Sequence, residues 1–125
     1  THVVLAFSKA LDEMLEEGGI PARYRRYRKN NRLLIEKMGE MGMKTYIDGN
    51  HQGPIITTFF YPENAGFTFA EMYQYIKDRA YAIYPGKVTE ADTFRIGNIG
   101  EIYPEDIKKL CDIMKEFLEV KNGQI

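Results

Sequence analysis

The chain has 125 residues, a length that suits one domain with a core of its own. Hydrophobic residues make up 44% and charged residues 28%, which is typical of a soluble globular protein and excludes a disordered chain. The net charge of −1 argues against attraction of the whole domain to nucleic acid or to an anionic membrane, and no apolar run reaches the ~20 residues that span a bilayer.

The first element predicted along the chain is an amphipathic helix. Apolar residues recur at three- and four-residue steps from Val3 to Leu15, acidic residues lie largely on the other face, and Gly18-Gly19 ends the pattern. The sequence begins at Thr1-His2 without a Met and enters this helix almost at once. We therefore expect the chain to be a piece of a longer protein, the alternative being a small protein that has been processed or cleaved from a tag.

A second helix follows, with Pro21 in its first turn, an apolar stripe from Tyr24 to Met41 and Gly42 as a C-terminal cap. Basic residues interleaved with tyrosines can mark a nucleic-acid surface. The alternative is a solvated face that pairs in part with the acidic end of the first helix, and the slightly negative net charge favours it. The basic residues are Arg23, Arg25, Arg26, Arg28, Lys29 and Arg32.

Two strands are predicted next, a short one at residues 43–47 and a stronger one at residues 55–61, which is rich in β-branched and aromatic side chains. The polar loop between them contains His51. With His2 far away in sequence and no Cys at ligand spacing, no metal site is predicted.

Thr68 and Glu71 have the spacing of a capping box and predict a helix to about Arg79. Ala80 stands where a left-handed cap would normally be Gly, so we expect local strain there. Residues 81–84 predict another strand, and the Pro-Gly-Lys segment at 85–87 predicts a turn. Lys87 is either an anion-binding or reactive amine or an ordinary loop lysine.

The next predicted strand carries a single arginine, Arg95, among Thr93, Phe94 and Ile96, and Gly97 ends it. An arginine on a buried strand is costly unless an anion meets it, and its planar fork suits a carboxylate or phosphonate. Arg95 is therefore a candidate substrate-anion clamp. The alternative is an internal salt bridge to one of the chain's acids.

Pro104 opens the last predicted helix, which ends at Lys121-Asn122-Gly123 and buries Cys111 on its apolar stripe. Cys111 is expected to pack rather than to catalyse. As the only cysteine it excludes an internal disulfide and favours a reducing, cytoplasmic location. Together the elements predict an α+β fold, a small and mainly antiparallel sheet of about four strands covered by helices.

The motifs of common enzymes are missing. There is no Walker loop, no dinucleotide-binding glycine motif and no evident nucleophilic triad. The residues alone thus indicate a soluble α+β domain with a candidate anion receptor and no evident catalytic centre.

Four segments in order resemble one family: THVVLAF at residues 1–7, PIITTF at 54–59, IYPGK at 83–87 and ADTFRIGNIG at 91–100. Together they are similar to the C-terminal part of the 2-aminoethylphosphonate–pyruvate aminotransferases. These are class V members of the fold type I family that depends on pyridoxal 5′-phosphate. The resemblance covers essentially all 125 residues.

The resemblance implies that residues 1–125 are a single C-terminal small domain with its long leading helix, and that the large cofactor-binding domain is absent. The Schiff-base lysine would lie upstream, so the chain would hold no catalytic residue, would be inactive alone and would not bind the cofactor by itself. Arg95 matches the family's substrate-binding arginine, Lys87 is a second candidate, and Thr1 would lie near the cofactor phosphate.

The reaction so implied moves the amino group of 2-aminoethylphosphonate to pyruvate and gives phosphonoacetaldehyde and L-alanine, a step of phosphonate degradation carried out by a homodimer. Another class V aminotransferase, of the alanine–glyoxylate or serine–glyoxylate type, is an open alternative. So is a freestanding, non-catalytic module that binds a small ligand or a protein.

Overall fold

A computed structural model describes residues 1–86 and 92–122 of the chain. Its first helix, α1 (His2–Glu17), begins where the Thr1 hydroxyl accepts a hydrogen bond of 3.4 Å from the Val4 amide, and it ends at Gly18 in the left-handed conformation. The second helix, α2 (Gly19–Glu40), starts at the next residue with Pro21 in its first turn. Both helices are confirmed, and the glycine pair makes the corner between them.

Three strands form one antiparallel sheet in the order β1-β3-β2. They are β1 (Ile56–Phe60), β2 (Tyr84–Pro85) and β3 (Thr93–Gly97). The prediction of a small, mainly antiparallel sheet is confirmed, and the described residues form three strands where about four were expected. The central strand is β3, which pairs along its whole length with β1.

The predicted strand at residues 43–47 is reduced to a single bridge between Thr45 and Phe59. The Thr45 hydroxyl donates to the Ile47 carbonyl at 2.9 Å, and the chain then turns into a short 3-10 helix, Gly49–His51. A local side-chain hydrogen bond of this kind competes with ladder pairing. The segment therefore touches the outer edge of β1 without extending the sheet.

The strand predicted at residues 81–84 is also shifted, to the two residues of β2. Ile83 turns into the core instead of lying in the sheet. Pro85 takes part because β2 is an edge strand, where a missing backbone N–H breaks no ladder hydrogen bond.

The third helix, α3 (Phe69–Lys77), carries the predicted capping box: Thr68 accepts from the Glu71 amide at 3.2 Å, and the Glu71 carboxylate accepts from the Thr68 amide at 2.7 Å. Ala80 has φ of 70°, so the predicted left-handed alanine is confirmed. The last helix, α4 (Pro104–Asn122), buries Cys111 as expected.

One core is shared by α2, α3, α4 and one face of the sheet, while no residue of α1 is buried. Register places Phe59 of β1 opposite Phe94 of β3 on the core face. The opposite face of the sheet, called here the open face, carries Ile56, Thr58, Phe60, Tyr84 and Arg95. These are half-buried or exposed. The core residues include Leu34, Met38, Met72, Ile76, Ile96, Ile107, Leu110, Met114 and Phe117.

Candidate functional site

Arg95 lies in the middle of the central strand and belongs to the open face. The register sets it opposite Thr58 of β1 and opposite Tyr84 of β2. Its Nε donates a hydrogen bond of 3.0 Å to the Pro85 carbonyl of β2. One edge of the guanidinium is thereby anchored to the sheet, and no hydrogen bond among the described residues occupies the two terminal nitrogens, which suit a bidentate anion.

An internal salt bridge is the alternative role for Arg95. Within residues 1–86 and 92–122, no Asp or Glu lies within ion-pair distance of Arg95. The side chain is half-buried rather than free in solvent. A half-buried guanidinium held at one edge is arranged as an anion receptor would be.

The neighbours of Arg95 give the open face a mixed character. Tyr84 is 52% exposed and Ile56 is 41% exposed, and Tyr46 packs its ring 5.6 Å from that of Phe60. Aromatic and aliphatic groups around a cation reduce its contact with water once they are covered, which strengthens its attraction for an anion. The open face thus combines a positive centre with apolar walls.

The other two candidate residues are placed less informatively. Lys87 lies outside the described residues. Thr1 is exposed, and its hydroxyl accepts the hydrogen bond from the Val4 amide that begins α1. Neither residue is brought to Arg95 by a described contact.

Neither His51 nor Cys111 forms part of a site among the described residues. His51 is exposed in its loop, and the described residues hold no group of three His, Cys, Asp or Glu side chains that could bind a metal. Cys111 is 4% exposed inside the core, and burial raises the pKa of its thiol to about 11. No helix in the described part of the chain is long and apolar enough to cross a membrane.

The basic face of α2 divides into two parts. Arg23 and Arg26 pair with Glu17 at the acidic end of α1, as expected for a solvated face that pairs in part with the first helix. The rest of the face is exposed and lines a groove of about 560 Å³ against the start of α4. Glu36 and Glu105 also line this groove, which fits a solvated face better than a nucleic-acid surface.

A buried polar cluster at the exit of β3 was not predicted from the sequence. Asn98 is wholly buried and donates to the carbonyls of Tyr27 and Pro54, at 3.1 and 2.8 Å. Arg26 donates from Nη1 to the carbonyls of Gly100 and Ile102, at 2.8 and 2.9 Å. The available signal was an asparagine between two glycines directly after the Arg95 strand.

Solved structures with the same fold identify its class. Ureidoglycine–glyoxylate aminotransferase from Bacillus subtilis matches with a TM-score of 0.77 at 21% sequence identity. The match covers 89% of this chain and 29% of that one. The fold is therefore the α+β domain found in fold type I aminotransferases, as predicted.

Sequence relatives are more specific. The chain is 50% identical over 124 residues to the 2-aminoethylphosphonate–pyruvate transaminase of Lysinibacillus sphaericus, covering 99% of this chain and 34% of the relative. It is 54% identical over 112 residues to the enzyme of that name from Bacillus mycoides, covering 90% and 30%. No protein family model matches the chain.

The chain thus spans about a third of the length of the curated relatives that it matches. Over that third it is homologous to the 2-aminoethylphosphonate–pyruvate transaminases, which confirms the resemblance seen in the sequence. The glyoxylate aminotransferase shares the fold at a much lower identity.

Proposed function

We propose that this chain is the C-terminal small domain of a 2-aminoethylphosphonate–pyruvate transaminase and supplies the arginine that binds the acidic group of each substrate. The observation that carries the proposal is Arg95, half-buried on the open face with its Nε held by Pro85. In the whole enzyme, the amino group of 2-aminoethylphosphonate would pass to pyruvate and give phosphonoacetaldehyde and L-alanine. About 50% identity to transaminases of this name supports that choice over a glyoxylate aminotransferase.

In both halves of the transamination, the one that uses 2-aminoethylphosphonate and the one that uses pyruvate, this domain would bind the acidic group of the substrate. The phosphonate of one substrate and the carboxylate of the other each offer two oxygens to a planar guanidinium. Arg95 would neutralise the anion and hold the substrate so that its reacting end points away from the sheet. The open face would therefore border the active site, with Tyr84 and Ile56 helping to exclude water.

The cofactor implied by the relatives, pyridoxal 5′-phosphate, would act as an electron sink when bound. Its lysine and its pyridinium partner are expected upstream of this chain. Thr1 is exposed at the N-terminus of α1, which suits a phosphate nearby. Lys87 remains a second candidate for contact with the substrate anion.

Helix α1 supports the view that the rest of the enzyme packs against this domain. None of its residues is buried, and Val3, Val4 and Phe7, which lie on one side of the helix, are 79%, 63% and 65% exposed. A face so apolar is stable only when it is covered. We expect the large domain and the second subunit of a homodimer to cover it in a cytoplasmic enzyme. A freestanding module that binds only a small ligand would leave this face uncovered.

The test is the kinetics of the intact transaminase with Arg95 replaced. Arg95→Lys should raise KM for 2-aminoethylphosphonate and for pyruvate and lower kcat, because a point charge cannot reproduce the two-pronged contact. Arg95→Ala removes the whole ion pair and should weaken binding of each substrate by about 2–5 kcal/mol. Arg28→Lys, on the exposed face of α2, is the control. An unchanged kcat/KM for both substrates would refute the proposal.

A further inference from the structure

Asn98 occupies an unusual position for a polar side chain. It is wholly buried three residues after Arg95, at the point where β3 ends. Its Nδ2 donates to the Tyr27 carbonyl of α2 and to the Pro54 carbonyl just before β1. Its Oδ1 accepts from Asn31 of α2 at 3.4 Å. A single amide therefore joins the ends of two strands to one helix.

Further contacts fasten the same exit to α2. The Tyr27 hydroxyl accepts a hydrogen bond of 3.3 Å from the Gly100 amide, and Arg26 donates to the carbonyl of the same residue at 2.8 Å. Arg26 also pairs with Glu17, the last residue of α1. A continuous series of polar contacts thus connects α1, through α2, to the strand that carries Arg95.

The chemistry of these contacts requires an asparagine. The amide nitrogen of Asn98 donates to two part-buried carbonyls, while its oxygen accepts a third contact. An aspartate would set a negative charge against the carbonyls of Tyr27 and Pro54. An apolar side chain would remove the hydrogen bonds to both carbonyls and the contact with Asn31.

We propose that Asn98 is a positioning residue for Arg95, holding the sheet in a fixed position on α2. This inference rests on the proposed function of Arg95. An anion clamp must be held to within about 0.5 Å to be productive, and a displacement of about 1 Å can cost a hundredfold in rate. Arg95 is anchored to its own sheet by Pro85, so its place relative to the rest of the enzyme depends on how that sheet is mounted.

A matched variant separates positioning from simple stability. Asn30 is also wholly buried on α2, but its Nδ2 donates at 2.7 Å to the Ile102 carbonyl, five residues beyond the end of β3, and no described hydrogen bond joins it to a strand or to the residue that directly follows one. Asn30→Ala and Asn98→Ala remove the same group from the same polar region. Both should lower the melting temperature.

The experiment compares these two variants and Arg95→Ala in the full-length transaminase with its cofactor. Asn98→Ala should raise KM for 2-aminoethylphosphonate and for pyruvate by about tenfold, equivalent to about 1.4 kcal/mol, with a smaller effect on kcat. Asn30→Ala should change both KM values by less than about twofold at a similar loss of melting temperature. If Asn98→Ala does not accumulate as folded enzyme, Asn98→Ser is measured in the same way.

The outcomes distinguish the two proposals. Equal KM changes in the Asn98 and Asn30 variants, with a large change in Arg95→Ala, would overturn the positioning role alone. Unchanged KM values in Arg95→Ala would overturn the proposed function on which it rests. A selective rise of KM in the Asn98 variant supports both.

Discussion

Arg26 of α2 donates hydrogen bonds to both carboxylate oxygens of Glu17 at the end of α1. Its Nε donates to Oε1 and its Nη2 to Oε2, while Arg23 adds a contact of 2.9 Å from its own Nε. The hydrogen bond from Arg26, followed by that from Arg23, lowers the pKa of Glu17 from 4.5 to about 2. The corner between the helices is therefore fixed by charge as well as by its two glycines.

The lowered pKa of Glu17 predicts how stability at the corner depends on pH. A carboxyl group whose pKa falls on folding stabilises the protein fully above its unfolded pKa, here 4.5, and loses that contribution as pH falls through about 2. Glu17→Gln should lower the melting temperature at pH 7, and the difference from the wild type should shrink between pH 4.5 and 2. Glu16→Gln, a neighbour without a described ion pair, is the control. A difference that does not change with pH would contradict the assignment.

Ala80 predicts a stabilising substitution. Its φ of 70° places a Cβ in the left-handed region, which costs an L-residue about 1–2 kcal/mol. Ala80→Gly relieves this strain and should raise the free energy of unfolding by about 1 kcal/mol after the entropy of the added glycine is counted. Ala70→Gly, within α3, should instead lower it by about 1 kcal/mol. Urea titration measures both, and the argument fails if the two variants shift stability in the same direction.

Gly86 lies so close to Thr93 that no side chain fits there, and we expect its substitution to destabilise the sheet. A Cβ there would lie 2.0 Å from the Thr93 hydroxyl and 2.6 Å from the Thr93 carbonyl oxygen. Gly86→Ala should therefore separate β2 from β3 beside Arg95 and cost about 1–3 kcal/mol. Thr93→Ala should not rescue it, because the backbone clash remains.

The matched control for Gly86 is Gly97→Ala in the same sheet. A Cβ at Gly97 would meet the Ile55 carbonyl at 3.7 Å, an ordinary contact. Thermal unfolding of both variants tests the comparison. Equal melting temperatures would show that β2 is not packed as described.

We expect the thiol of Cys111 to react very slowly with alkylating reagents in the folded protein. Burial raises its pKa from 9.0 to about 11, so at pH 8 the thiolate fraction is about a hundredfold below that of an exposed cysteine. Iodoacetamide should label the native protein at least about a hundredfold more slowly than the urea-unfolded protein. Since the chain has one cysteine, the same thiol serves as its own control. Similar rates in both states would place Cys111 outside the core.

Much of the fold was predictable because its signals are local. The glycines at residues 18 and 19, the capping box at Thr68 and the apolar stripe of α4 depend only on neighbours along the chain. The Arg95 strand was predictable for the same reason. The strands at residues 43–47 and 81–84 were predicted less well, because pairing depends on a partner strand that local composition does not reveal.

The sequence by itself determined the positions of the helices, the strand that carries Arg95 and, through its ordered motifs, the resemblance to the transaminases. Only the tertiary structure decided that Arg95 faces away from the core, that Pro85 anchors it and that Asn98 fastens its strand to α2. These contacts join residues 10 and 71 positions apart in the chain. The physical reason is that a side chain's partner and its burial depend on how the helices and strands pack together. The local periodicity of the sequence does not specify that packing.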